Sequence, residues 1–323
     1  MKLEQIIEPI RGEIDQFHGH FREAMKSKVA FVDMIARYIV RQKGKKIRPA
    51  LVLLTAKACG DINLSTYRGA SLVEILHTAT LIHDDVVDDA DTRRGFASIN
   101  AVWKNKIAVL MGDYMLAKGL LLSLDNNDFK FLKITSDAVR RMSEAEILQI
   151  AKSRDLDLDE ETYLKIISDK TASLLSTCTQ IGAASVSEDQ ELIGRMKSFG
   201  ENLGMVFQIR DDLLDYVGRT SITGKPTGLD MKEKKLTLPL IHSLAGAPRS
   251  EAKSIIRIIK NGASTKELRH VVEFAHDFGG IAYAEKKAGS YAGLALQALE
   301  QLPPSPAKDA MEQFVDFVME RSK

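Results

Sequence analysis

Residues 72–95 read LVEILHTATLIHDDVVDDADTRRG. Apolar residues recur there at three- and four-residue steps, the spacing of one face of an α-helix: Leu72, Ile75, Leu76 and Ala79. The stretch then carries a DDxxD pattern, which brings three carboxylates to one side of a helix end: Asp84, Asp85 and Asp88. It therefore predicts a core helix that ends in concentrated negative charge.

The positions of the prolines extend the helical prediction along the chain. None of the eight prolines lies between Pro49 and Pro226, and a proline inside a helix costs about 3 kcal/mol. A second helical period supports stacked helices: Leu192, Met196, Phe199 and Leu203. Ser65 and the pair Ser187 and Gln190 are expected to cap helices. We predict an all-α fold, a single large domain over residues 1–323.

The segments between helices are predicted to be short, apart from the segment 218–235. That segment holds glycines, a proline and a run of lysines. A long connection in a compact helical domain is more often a functional lid than a spacer.

Composition excludes several classes of protein. The 45 Lys and Arg balance 44 Asp and Glu, a net charge of +1, which gives no reason to expect nucleic acid. Cys59 and Cys178 are the only cysteines, so no disulfide framework is expected. The N-terminus lacks the apolar region of a secretory signal, and no stretch is expected to match a membrane-spanning helix of about 20 apolar residues. We expect a cytoplasmic protein that does not span a membrane.

A second DDxxD pattern follows far along the chain: Asp211, Asp212 and Asp215. One such triad alone is best explained as a solvated acidic face. Two triads, each flanked by apolar residues, are better explained as the halves of one cation site. Carboxylate oxygens without paired Cys and His favour Mg²⁺, which binds through carboxylates and substrate phosphates.

Basic residues near these triads could hold a diphosphate directly: Lys45, Arg48, Arg93, Arg94, Lys225 and Lys235. Four other lysines are expected to be exposed solubilising residues: Lys43, Lys46, Lys232 and Lys234. His77 lies two helical turns before Asp84 and by itself is a core residue. Carboxylates for a metal-bound diphosphate and cations for a second one suit a reaction between two diphosphates.

Several stretches together resemble the trans-isoprenyl diphosphate synthases, the polyprenyl synthetase family, from about Lys43 to the C-terminus. They are GKKIRP, EILHTATLIHDDVVDDADTRRG, VLMGDYMLAKG, EAEILQI, KTA at 170–172, GMVFQIRDDLLDYVG and GKPTGLDMKEKKLTLP. The resemblance implies a helical bundle of the isoprenoid synthase type with a central apolar tunnel. It also implies head-to-tail condensation of isopentenyl diphosphate with an allylic diphosphate (dimethylallyl, geranyl or farnesyl) and a homodimer.

Carried over to matching positions, the resemblance assigns roles to the candidate residues. The two triads would hold about three Mg²⁺ on the allylic diphosphate, with help from Arg93, Lys170, Lys225 and Lys235. Thr171 and Gln208 would flank the reacting carbons. The isopentenyl diphosphate site would consist of Lys45, Arg48, His77 and Arg94.

The residues one turn below the first triad bear on product length. Ala79 and Thr80 are small, whereas family members with short products commonly carry a bulky aromatic there. A helix rises 5.4 Å per turn, so each open turn admits roughly one more isoprene unit, and we expect a product of about seven or eight units. The alternatives are a geranylgeranyl or farnesyl diphosphate synthase, a class I terpene cyclase, and a non-catalytic synthase subunit.

Overall fold

The computed structural model describes residues 2–41, 44, 46–93, 95–156, 158–217, 231 and 235–321. Helices form nearly all the regular structure of these residues, and their one sheet is a hairpin of β1 (Thr92–Arg93) and β2 (Phe96–Ala97). The prediction of an all-α fold is confirmed. The chain divides into two compact units, so a single domain over residues 1–323 stays a prediction.

Unit 1 comprises Met1–Asp137, Thr177–Lys197 and Gln301–Met311. A 3₁₀ turn at Glu8–Ile10 joins its first two helices. The helices that lie wholly within it are α1 (Leu3–Ile6), α2 (Arg11–Met25), α3 (Ala30–Arg41), α4 (Ile47–Cys59), α5 (Leu64–Val87) and α6 (Ile99–Leu124).

Helix α5 is the core helix predicted from residues 72–95. It begins at Leu64, where the Asn63 side chain accepts a hydrogen bond from the Thr66 amide at 3.2 Å. The prediction that Ser65 caps this helix is therefore wrong, because the Ser65 hydroxyl instead donates to Asp128 at 2.7 Å. The helix ends at Val87, as the polar run towards Gly95 predicts.

Helices α5 and α6 form the most extensive helix pair in unit 1. Glycines on α6 let the two backbones approach closely: a Cβ at Gly119 would lie 3.1 Å from the Leu72 side chain, and one at Gly112 would overlap the His83 ring. Because Leu72 and Ile75 lie against Gly119 of α6 and are buried, α5 supplies both the core and the first carboxylate triad.

The opposite face of α6 is apolar and exposed. The helix has 26 residues, and an 18-residue stretch of it has a mean hydropathy of 1.6, so by length and composition it could cross a membrane. It falls short of the roughly twenty uncharged apolar residues expected of a membrane-spanning helix, because Asp113 and Lys118 interrupt it. A single helix of this kind is weak evidence of a membrane protein, because the core helix of a soluble protein can have the same length and composition.

Unit 2 comprises Ala138–Ser176, Ser198–Glu300 and Glu312–Lys323. A single π-helical turn, Ser168–Ala172, follows its first helix. The helices that lie wholly within it are α8 (Glu160–Ile167), α11 (Leu238–Gly246), α12 (Arg249–Lys260), α13 (Thr265–Asp277) and α14 (Gly280–Leu299). Helix α14 begins against α11, where a Cβ at Gly280 would overlap the Pro239 carbonyl.

Four further helices contribute residues to both units: α7 (Phe129–Asp155), α9 (Ser173–Ala184), α10 (Gln190–Val217) and α15 (Pro306–Met319). The Asp189 carboxylate caps α10, accepting hydrogen bonds from the amides of Glu191 and Leu192. The predicted capping pair of Ser187 and Gln190 is wrong, because α10 begins at Gln190 itself.

Candidate active site

The first triad lies at the C-terminal end of α5. Asp84 is half-buried, Asp85 is 3% exposed and Asp88, the residue after the helix, is exposed. Carboxylates are disfavoured at this end of a helix because its partial charge is negative. Buried Asp85 therefore needs a cation close by.

Arg93 supplies that cation from strand β1. Its Nε donates to Asp85 Oδ1 at 2.7 Å, and its Nη2 lies 2.5 Å from the same oxygen. The hairpin holds Arg93 opposite Phe96, and Asn100 donates to the Asp85 backbone carbonyl. Arg93 thus lies beside the first triad, as the prediction of a shared diphosphate site requires.

Lys46 is the residue before the first turn of α4. It is one of the four lysines expected to be exposed and to contribute only to solubility. That expectation is wrong: its Nζ lies 2.8 Å from Oε1 of Glu74, and the two side chains are only 20% and 4% exposed. The ammonium also lies 5.2 Å from the centre of the Phe21 ring. Lys46 has a left-handed backbone, φ 49°, so a buried contact holds a conformation that lysine rarely adopts.

Arg48 and His77 lie near this ion pair in the chain. Arg48 is half-buried in the first turn of α4, and His77 is 6% exposed on α5, three residues after Glu74. Three other predicted diphosphate ligands lie outside the described residues: Lys45, Arg94 and Lys225. So do three of the four lysines expected to be solubilising: Lys43, Lys232 and Lys234.

Ala79 and Thr80 occupy the positions predicted to control product length. Ala79 is fully buried, and the Thr80 hydroxyl donates to the His77 carbonyl at 2.9 Å. Below them on α5, Leu76, Leu72 and Val73 are also buried. These buried side chains of α5 below the first triad are therefore apolar, with the small side chain of Ala79 nearest to Asp84 in the chain.

The second triad lies near the C-terminal end of α10 in unit 2. Asp211 is exposed, Asp212 is 6% exposed and Asp215 is half-buried. Arg321 lies 3.2 Å from Asp211 and stacks over the Phe207 ring at 4.6 Å. No sequence motif pointed to Arg321, which comes from the far end of the chain.

Thr171, Gln208 and Asp212 form a hydrogen-bonded chain. The Thr171 hydroxyl donates to Gln208 Oε1 at 2.8 Å, and Gln208 Nε2 donates to Asp212 Oδ1 at 2.7 Å. The prediction grouped these three residues at the reacting centre, and the structure brings them together within unit 2.

Lys170 lies in the π-helical turn beside Thr171. Its Nζ forms an ion pair with Glu146 and a 2.8 Å hydrogen bond to Gln149, both on α7. Single π turns inside helical segments frequently mark functional sites. A Cβ at Gly204 of α10 would overlap Ala172, so only a glycine allows α10 to lie this close to the turn.

A buried charge network holds the turn from the other side. Arg141 donates to Asp169 at 2.6 Å, to Glu201 at 2.6 Å and to the Ser168 hydroxyl at 3.0 Å. Lys165 adds a 2.7 Å contact to Asp169. These side chains come from α7, α8, the turn and α10, so they fasten the turn to its neighbours.

A cleft of about 150 Å³ adjoins the chain of Thr171, Gln208 and Asp212. Lys170 and Lys235 also line it. Lys235, the last residue of the segment 218–235, is a predicted diphosphate ligand, and that role stays a prediction.

Magnesium fits the donors that are present. Among the described residues no three His, Cys, Asp or Glu side chains are gathered as a ready metal cluster. Each triad nevertheless presents an exposed or half-buried carboxylate beside a buried one held by hydrogen-bond donors. Hard carboxylate oxygens with room for water and phosphate suit Mg²⁺ better than a closed protein cage.

Comparison with known proteins decides the family. A sequence model described as polyprenyl synthetase matches residues 29–275. The chain belongs to the polyprenyl synthetase family. The resemblance found in the motifs is thereby confirmed.

This polyprenyl synthetase is similar to known proteins over its whole length. It is 36% identical over 319 residues to the all-trans-nonaprenyl-diphosphate synthase (geranyl-diphosphate specific) of Rhodobacter capsulatus, covering 98% of each chain. It is 33% identical to the octaprenyl diphosphate synthase of Escherichia coli strain K12, covering 100% of both. A polyprenyl synthase structure from Caulobacter crescentus CB15, complexed with calcium and isoprenyl diphosphate, superposes with a TM-score of 0.89 at 32% identity, covering 100% of this chain and 98% of that one.

These relatives place the synthetase among chain-elongating trans-prenyltransferases, and the prediction of such an enzyme is confirmed. A terpene cyclase and a non-catalytic subunit are less consistent with full-length similarity to synthases. The isoprenoid synthase type of helical fold is confirmed as well.

Proposed function

We propose that this synthetase condenses isopentenyl diphosphate with an allylic diphosphate, using Mg²⁺, and repeats the addition to about seven or eight isoprene units. The proposal rests on one observation: the chain contains two DDxxD triads, and the small, buried Ala79 lies one helical turn before the first of them. The names of the octaprenyl and nonaprenyl relatives support a long product.

The side chains divide the work of the reaction. Bound Mg²⁺ would neutralise charge on the departing diphosphate. Arg93 and Lys170 would add hydrogen bonds to that diphosphate as the allylic C–O bond breaks. Lys235 would contribute from the cleft of unit 2.

Thr171 and Gln208 would lie beside the allylic cation, where their oxygen dipoles favour positive charge. The isopentenyl double bond attacks that cation, and the proton lost afterwards passes to the released diphosphate. Arg48 and His77 would hold the isopentenyl diphosphate, together with Lys45 and Arg94. Apolar residues such as Leu76 exclude the water that would quench the cation.

The test is to incubate the purified protein with isopentenyl diphosphate, geranyl or farnesyl diphosphate and Mg²⁺, and to size the dephosphorylated products. We expect chains of about seven or eight units. Asp84→Ala and Asp211→Ala should each lower turnover by several orders of magnitude while the helical circular dichroism spectrum is unchanged. Activity that survives EDTA, or a product no longer than farnesyl, would contradict the proposal.

We also propose that the synthetase is a homodimer. Five residues on the outer face of α6 follow alternating four- and three-residue steps, the spacing of a helix–helix seam: Leu110, Tyr114, Ala117, Leu121 and Leu124. The three leucines among them are 56%, 52% and 49% exposed. Exposed apolar residues in such a stripe mark an interaction site, and a second copy of the chain can pair with itself through it.

A cytoplasmic location is proposed with the dimer, since a covered α6 face leaves no apolar stripe for a bilayer. Light scattering should give the mass of two chains. Flotation of the protein with liposomes, in place of a soluble dimer, would contradict both proposals.

A further inference from the structure

Both carboxylate oxygens of Asp212 accept a hydrogen bond from a neighbouring side chain. Gln208 Nε2 reaches Oδ1 at 2.7 Å, and the hydroxyl of Tyr163 on α8 reaches Oδ2 at 2.7 Å. Asp212 is 6% exposed and Tyr163 is 3% exposed. Tyr163 belongs to no motif that the sequence suggested, and it stands 49 positions from Asp212.

The donor and the acceptor of each of these hydrogen bonds can be assigned. The Gln208 amide accepts from Thr171 through its oxygen, so its NH₂ group faces Asp212. Tyrosine has a single O–H, which it donates to an ionised carboxylate. Each oxygen of Asp212 thus accepts a hydrogen bond from a donor whose own position is fixed by its neighbours.

The geometry points to Tyr163 as a positioning residue for metal binding at the second triad. Its hydroxyl, together with Gln208, holds the Asp212 carboxylate in one orientation at the cleft that Lys170 and Lys235 also line. It acts through Asp212 and needs no contact with substrate. The inference rests on the proposed function, because it assumes that Asp212 binds the metal.

A purely structural role would give a different outcome. The ring of Tyr163 packs in the core of unit 2 beside residues such as Ile167, so it contributes to stability through buried area. Tyr163→Phe keeps the ring and removes only the hydroxyl. Losing a hydrogen bond to a metal-binding carboxylate lowers metal affinity or activity by roughly ten- to a hundredfold.

Tyr283 offers a matched control in the same unit. Its hydroxyl donates to Glu160 at 2.8 Å, so Tyr283→Phe removes the same kind of bond from a carboxylate outside the triads. Both variants should lose a similar free energy of unfolding, because each loses one hydrogen bond from a tyrosine hydroxyl to a carboxylate. Only Tyr163→Phe should weaken metal binding.

The experiment is a Mn²⁺ titration followed by electron paramagnetic resonance, with an unreactive thio analogue of farnesyl diphosphate present. Tyr163→Phe should raise the apparent Kd for Mn²⁺ about tenfold or more, and Tyr283→Phe should leave it within twofold of wild type. The Mg²⁺ concentration that gives half-maximal turnover should shift in parallel.

The outcomes separate this inference from the function beneath it. A wild-type protein that binds no Mn²⁺ with the analogue would defeat the proposed function. Wild-type binding with an unchanged Kd in Tyr163→Phe would overturn the role of Tyr163 alone. Loss of cooperative unfolding in Tyr163→Phe would assign the hydroxyl to stability and overturn the role as well.

Discussion

Lys46 and Glu74 show how one buried pair can prepare a binding residue. A carboxylate as buried as Glu74 requires a partner, because an unpaired buried charge is costly. Lys46 meets that need while its backbone stays left-handed at the start of α4. The pair thereby fixes the path of the chain into Arg48, a predicted ligand of isopentenyl diphosphate.

Glu74→Gln should therefore weaken binding of isopentenyl diphosphate more than it slows the chemistry. We expect the KM for isopentenyl diphosphate to rise about tenfold, the equivalent of one lost charge-assisted hydrogen bond, with a smaller change in kcat. Glu13→Gln is the control, since it breaks the more exposed pair of Glu13 with Lys57. A fall in melting temperature with no change in KM would limit the pair to stability.

Residue identity and spacing singled out the six aspartates as candidates, and the family resemblance added Lys170, Thr171 and Gln208. Neither could identify the partners of these residues. Lys46 meets Glu74 28 positions away, and Tyr163 meets Asp212 49 positions away. Such contacts depend on how helices pack, and a local pattern carries no record of that. Arg321 escaped notice for the same reason.

At the scale of elements, the π-helical turn at Ser168–Ala172 is the least regular part of the candidate site. The turn presents Lys170 and Thr171 from one side, and Arg141 anchors it from the other. The family resemblance singled out Lys170 and Thr171 in the turn, but no sequence pattern indicated a π turn, because such a turn has no distinct spacing of apolar residues.

Arg141→Met should destabilise the protein by about 1.5–3 kcal/mol, because it removes the charge-assisted hydrogen bonds from the guanidinium to Asp169 and Glu201. Arg140→Met is the control: its pair with Glu144 is exposed, so the expected loss is below about 1 kcal/mol. Urea unfolding of both variants measures the difference. Equal losses would mean that the network does not anchor the turn.

The same network predicts a dependence on pH. Burial raises the pKa of Asp169, but hydrogen bonds from Lys165 and Arg141 outweigh it and hold the pKa below its ordinary value of 3.8. A lowered pKa in the folded state stabilises the protein above pH 3.8, and this contribution is lost as the pH falls further. The difference in free energy of unfolding between wild type and Arg141→Met should therefore become smaller as the pH falls below 3.8.

Helix α5 carries the prediction about product length. Ala79→Phe should place a ring in the buried space one turn below Asp84 and shorten the product towards the farnesyl or geranylgeranyl length. The first condensation should continue, because the ring lies below the triad. Chromatography of the dephosphorylated products measures the change. An unaltered product distribution would mean that another helix sets the limit.

At the scale of the whole molecule, the outer face of α6 decides how many copies assemble. Leu121→Glu places a charge in the middle of the exposed stripe and should convert the proposed dimer to a monomer, as measured by light scattering. Leu64→Glu alters a leucine on α5 that is more exposed than Leu121, at 64% against 52%, and should leave the mass unchanged. A wild-type protein that is already monomeric would refute the dimer.

The close approach at Gly204 has a consequence for inherited variation. Any side chain there would meet Ala172 and push the π-helical turn away from α10. In a library of all amino acids at position 204, selection for prenyl transfer should return glycine alone. Gly194, on the same helix, faces open space, and the same selection should accept many residues there. Two glycines that look alike in the sequence therefore leave very different freedom to mutate.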